Sequence, residues 1–384
     1  MTLFEPSDAP DPTPGMPPEP PEDPRRRRAR IATAVGAVLV GVAILSAVVV
    51  STLPAPYVIE RPGPTFDVLG DVEVDGEAVP LIAIPGEETF ATEGSLRMTT
   101  VSISGSPDRL PSWIEVVGAW FDRSVAVVPV EEIYPPGITA EQSAEQSRID
   151  MKNSQQEAIA AALGQLDIAV DGTVVVEEVA DGSPVAGILE PGDVIVSFGG
   201  TAVDDVSQLR AAIKAHGVDG PAELVFERDG VETTAEVTPA LAEDGETPIL
   251  QITVSSDYDF PFTVDIQLQN VGGPSAGMIF ALGILDKLTD GALTGGEDIA
   301  GTGTIAGDGT VGPIGGIRQK LYGARDAGAD WFLAPEANCD DVVGHVPNGL
   351  QVFAVGTLDD AIGVLDAIRA GDTSALTTCE AVVG

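Results

Sequence analysis

Arg25-Arg26-Arg27-Arg28-Ala29-Arg30 is followed by an uncharged run from Ile31 to Leu53, and no other feature limits the architecture of the chain as much. As a helix, these 23 residues would extend roughly 35 Å, enough to cross a bilayer. No polar face interrupts the run, which argues against the core helix of a soluble domain. A cleaved signal peptide is the competing reading, but its apolar part usually spans about 7–15 residues, and thirty residues precede this one. Five arginines flank the run on its N-terminal side and none follows until Arg61. That asymmetry places the N-terminus in the cytoplasm and everything after Pro54 outside it. The expectation is a single-pass protein of the cell membrane whose bulk is extracytoplasmic.

Residues 1–30 are rich in Pro, Asp and Glu and lack apolar periodicity, so they read as a disordered cytoplasmic tail before a transmembrane helix at 31–53. The formal charge of −41 falls almost wholly after that helix. Such a surface repels phosphate backbones, and nucleic acid is not expected as a partner. Cys339 and Cys379 both fall in the segment assigned outside, where they are expected to form a disulfide. Without neighbouring His or Cys they do not make a metal site, and neither a metal nor a cofactor is expected.

Four prolines between Pro54 and Pro64 suggest an extended linker, and residues 54–91 are read as linker and N-terminal segment. Short β-rich runs follow, and from Thr139 the pattern turns helical as far as Leu163, with Gly164 as a stop. Residues 165–241 carry their own signature. Strand 173–179 leads into Gly182-Ser183-Pro184-Val185-Ala186-Gly187-Ile188-Leu189 and then Gly192-Asp193-Val194-Ile195, before a helix at 206–216 and a strand at 222–228. This run resembles a bacterial PDZ domain, which implies a groove where an extended peptide adds as a further strand. Gly172 and Thr173, just before the first strand, are the candidates for peptide binding.

The chain has two histidines, His216 and His345, and neither sits in a recognisable triad motif. A serine hydrolase built on it would need lysine as its base. Gly273-Pro274-Ser275-Ala276-Gly277 precedes an apolar stretch, so Ser275 is expected at a helix N-terminus, where unpaired backbone N–H groups favour negative charge. Gly315-Gly316 precedes a second helix with Lys320 near its first turn. A charged amine is unfavourable there, and burial would add to that, leaving a neutral amine able to accept the serine proton.

These motifs, with Thr302-Gly303 between them and Asp330 to Asn338 after them, closely resemble the proteolytic domain of Lon-family serine proteases. The resemblance implies Ser275 as nucleophile, Lys320 as general base and Thr302 as the threonine that orients the lysine. The backbone of Ser275 and Ala276 would hold the oxyanion. The helix at 151–163 looks like one from the first half of that domain, so the PDZ unit would be inserted between a first part at 92–164 and a main part at 242–370, with a tail at 371–384. The fold class expected is α+β, a single transmembrane helix followed by a Lon-type α/β proteolytic domain with an inserted PDZ domain.

Gly272 stands where ATP-dependent members of that family carry an acidic residue, and none of the four lysines follows a glycine as a phosphate-binding loop requires. ATP is therefore not expected as a partner. The function expected is that of a membrane-anchored serine endopeptidase acting on extracytoplasmic protein or peptide substrates, with the PDZ domain recruiting their tails. The alternative is a non-catalytic PDZ scaffold on a retained protease fold. The resemblance also implies a homo-oligomer.

Overall fold

A computed structural model describes residues 24–74, 76–135, 137, 139–242, 245–269 and 271–384. Most of the expected tail lies outside them. Helix α1 (Pro24–Thr52) takes in the arginine cluster, so the helix starts seven residues before the expected boundary at 31. Within it, Arg30–Thr52 contains an 18-residue window of mean hydropathy 2.6 and is long and apolar enough to cross a membrane.

Beyond α1, strand β1 (Tyr57–Asp67) pairs antiparallel with β2 (Ser95–Ser104) on one side and β3 (Ala126–Pro129) on the other. The register shifts between Pro62 and Thr65, where Pro62 and Pro64 lack the N–H that a regular ladder needs. Val58, Ile59, Val68, Leu81 and Ile82 are all buried. The stretch 54–91 is therefore not a linker: much of it belongs to a folded core, and the prolines mark a bulge. Helix α2 (Ala140–Gln165) follows, its start fixed by a capping box between Thr139 and Gln142.

Strands β4 (Asp171–Val179) and β5 (Val194–Phe198), helix α3 (Val206–His216) and strands β6 (Ala222–Arg228) and β7 (Val231–Val237) make the next unit. Their sheet has the order β7-β6-β5-β4-β8, where β8 (Ile252–Asp259) lies beyond the boundary expected at 241. The register runs from Ile252 opposite Val179 to Asp259 opposite Asp171, so the last strand of this unit comes from sequence assigned to the following domain. Val174, Ile195, Phe198, Leu209 and Leu224 fill a core of its own.

Helix α4 (Gly277–Leu288) then runs through the main core, with every residue from Gly277 to Asp286 buried, as an apolar helix without a polar face must be. Strand β9 (Asp298–Gly301), the short hairpin β10 (Thr304–Ile305) and β11 (Val311–Gly312), helix α5 (Ile317–Asp326) and strand β12 (Trp331–Pro335) follow. The chain ends with α6 (Cys339–Val342), β13 (Gln351–Val355), α7 (Leu358–Ala370) and α8 (Cys379–Val383). The main sheet has the order β13-β12-β9-β2-β1-β3, parallel from β13 to β2 and antiparallel from there on. A disulfide joins Cys339 to Cys379 and ties α8 to α6, so residues 371–384 are anchored.

Candidate active site

Two glycine-dependent turns deliver the side chains of Ser275 and Lys320. Gly273 has φ +85°, and its N–H donates to the Ser147 carbonyl of α2 at 2.8 Å. Ser154, two turns further along α2, donates its hydroxyl to the Pro274 carbonyl at 2.8 Å. A Cβ on Gly272 would come within 2.8 Å of the Ser147 side chain, so this chain lays the Ser275 loop flat on α2 where a larger residue would push it off. Ser275 lies just ahead of α4, whose N-cap is Ala276. The expected helix N-terminus is therefore present, displaced by two residues.

Opposite, Gly316 caps α5 in the left-handed region at φ +66°, and a Cβ there would meet Val101 at 2.6 Å. This turn directs the first turn of α5 inward. Lys320 is 2% exposed. Its Nζ lies 2.7 Å from Ser275 Oγ and 2.9 Å from Thr302 Oγ1. Burial pulls the amine down to about 7, against a smaller upward pull from the Glu60 carboxylate. Thr302 is fully buried and donates its hydroxyl to the Ser275 carbonyl at 2.8 Å. The same carbonyl accepts the Gly303 N–H at 2.9 Å, so the segment after β9 holds both partners of the pair.

The structure thus brings Ser275, Thr302 and Lys320 together. Cleavage of an acyl bond through such a pair is chemically complete without histidine. His216 lies by the Gly220 carbonyl and His345 by the Val343 carbonyl, and neither is paired with Ser275. Among the described residues no cluster of His, Cys, Asp and Glu has the makings of a metal site.

The peptide-binding candidates fare differently. Gly172 and Thr173 are not a loop but part of β4, paired with Tyr258 and Asp257 of β8. A Cβ on Gly172 would strike the Tyr258 ring at 2.7 Å, so glycine stands there for packing. The open groove is elsewhere. A cavity of about 930 Å³ lies between α3 and the segment 247–254, with Leu209 and Ile213 on one wall and Ile249, Ile252 and Val254 on the other. Ser154 and Glu157 of α2 carry no sequence motif, and neither does Glu60 of β1. Nothing in a polar helix face marks which of its residues turns inward.

Residues 149–238 match the PDZ domain family, and residues 269–366 match the family described as the Lon protease (S16) C-terminal proteolytic domain. All three clustered residues fall within the second match. "Lon protease 1" of Sorangium cellulosum is 42% identical over 93 residues, covering 23% of this chain and 11% of that protein. The Lon protease of Campylobacter concisus is 40% identical over 94 residues, again 23% of this chain and 11% of the relative. The likeness to these relatives is thus confined to about a tenth of their length. The crystal structure of the PDZ domain of an SdrC-like protein from Listeria monocytogenes has 24% identity and a TM-score of 0.21, covering 22% of this chain and 87% of that one.

Proposed function

We propose that this chain, which carries a PDZ domain and a Lon-type proteolytic domain, is a serine endopeptidase working through a Ser275–Lys320 dyad. The observation that carries the reading is the 2.7 Å approach of a buried lysine amine to a serine hydroxyl. The neutral amine takes the Ser275 proton as Oγ attacks the scissile carbonyl carbon. The resulting ammonium returns that proton to the leaving amine as the C–N bond breaks, and water then hydrolyses the acyl ester with the same lysine as base. Thr302 orients the amine. Backbone N–H groups of Ser275 and Ala276 are the proposed oxyanion donors.

In this reading α1 anchors the enzyme in the cell membrane, with the arginine flank cytoplasmic and the proteolytic part outside. Hydrolysis proceeds without ATP and is directed at flexible segments, which enter the groove beside β8 as an added strand. The test is hydrolysis of an unfolded protein such as casein by the full chain in detergent, with no nucleotide present. Wild type cleaves it and Ser275→Ala does not; equal turnover by the two proteins overturns the reading, and no cleavage by either leaves the groove as a binding module alone.

A further inference from the structure

The mechanism makes no use of Glu157, a buried carboxylate in the C-terminal half of α2. Its Oε1 accepts the Ser256 hydroxyl at 2.5 Å, and its Oε2 accepts the Tyr258 hydroxyl at 2.8 Å and the Gly307 N–H at 2.6 Å. Ser256 in turn accepts the N–H of Val206, the first residue of α3. One carboxylate therefore joins four elements: α2, the edge strand β8, the start of the helix facing that strand, and the hairpin that follows Thr302. A Cβ on Gly307 would come within 2.6 Å of the Tyr258 hydroxyl, so a larger residue there would displace that hydroxyl from its place beside Glu157.

The same helix face also holds the nucleophile loop. Ser154 lies one turn before Glu157 and binds the Pro274 carbonyl, and Ile305 of the hairpin packs where a Cβ on Gly277 would sit. The cavity of about 930 Å³ shows what this achieves. It is not confined to the groove between α3 and β8 but continues past Asp150, Asn153 and Ser154 of α2 to Pro274 and to Thr304 and Ile305. Groove and nucleophile loop are two walls of one cleft, and the α2 stripe is its floor.

We propose that Glu157 is a positioning residue that fixes the register between the groove strand β8 and the Ser275 loop, so that a substrate held on β8 is presented to the dyad. The inference rests on the function proposed above. The substrate class follows from the walls: an extended segment alternating apolar residues, for the Leu209 and Ile213 wall, with acidic ones, for the exposed Arg210 and Lys214 of α3. The cavity borders residues 247–254, and an extended segment matching that stretch would run roughly 27 Å. Binding in two linked places raises the effective concentration at the second only while the geometry between them is held.

The experiment compares fluorogenic peptides that share one cleavable core, either bare or extended on one side or the other by eight alternating Val and Glu residues. In the wild-type chain at least one extension is expected to raise kcat/KM by about tenfold or more over the bare core. Glu157→Ala is expected to bring that extended-to-bare ratio close to one, whereas Glu157→Gln, which keeps an acceptor oxygen for Tyr258 and Gly307, retains it. A purely structural role would lower both rates and leave the ratio unchanged. That result, or a wild-type ratio of one for both extensions, overturns the proposal. Should Glu157→Ala fail to fold, Ser256→Ala and Tyr258→Phe each remove one donor and must lower the ratio; an unchanged ratio in both overturns it. Loss of the bare-core rate in Ser275→Ala checks the proteolytic reading separately from this one.

Discussion

Thr302 donates its hydroxyl to the carbonyl of Ser275, so the only part of that hydroxyl left for Lys320 is a lone pair. The amine must therefore point an N–H at Thr302. In its neutral form this leaves the nitrogen lone pair free to face Ser275 Oγ, which is the geometry a proton acceptor needs.

Removing that constraint lets the amine rotate away. Thr302→Ala is expected to lower kcat by about 10- to 100-fold, the worth of one hydrogen bond to a charged or developing-charge group. Thr302→Ser keeps the hydroxyl and is expected to stay within about threefold of wild type. Steady-state kinetics on a short peptide checks both.

The proposed dyad predicts a pH dependence. Burial holds the Lys320 amine down to about 7, and only its neutral form accepts the serine proton. The rate at limiting substrate should therefore be low below pH 6, rise with a midpoint near 7, and level off above it. The sign for stability is the same. Between about 7 and the ordinary lysine value the unfolded chain binds more protons than the folded one, so the penalty of burying Lys320 is full below about 7 and fades as pH rises. Lys320→Met is expected to melt higher than wild type at pH 6, with the difference shrinking toward pH 9.

Within the PDZ unit, Arg228 makes a two-point contact with the buried Asp193 carboxylate, at 2.7 Å on each arm, and a third bond to the Ile188 carbonyl at 2.8 Å. The Arg228 guanidinium holds the Asp193 carboxyl below its usual range. Arg228→Ala leaves that carboxylate buried without its cation. The expected result is a loss of stability smaller than that of a fully buried pair, because the arginine side chain is 35% exposed. Urea unfolding followed by circular dichroism measures it.

The Cys339–Cys379 bridge closes a loop of 40 residues. In the chain-entropy account such a link is worth up to about 4 kcal/mol. Cys379→Ser is expected to lower the melting temperature and to expose α8 to proteolysis, while added reductant should have no further effect on this variant.

What could be read from the sequence is the chemistry that sits in short, glycine-framed motifs. Ser275 and Lys320 each stand close to a glycine whose backbone fixes their direction, so their meeting could be anticipated from a few residues. Glu157 was not, because its partners lie 99, 101 and 150 residues away and only folding brings them together. Pro62 and Pro64 made β1 look like a linker, since the bulge that accommodates them is visible only beside β2. The last PDZ strand was missed for a related reason. Residues 238–251 separate β8 from β7 in sequence, while its pairing partner is β4, some eighty residues earlier.

The most direct measurement is covalent labelling of the purified full chain with a fluorophosphonate reagent, followed by peptide mass spectrometry. The account predicts an adduct on Ser275 that forms faster as pH rises through about 7 and is lost in Lys320→Ala. An adduct on another serine, or labelling of Ser275 at an equal rate without Lys320, would contradict it.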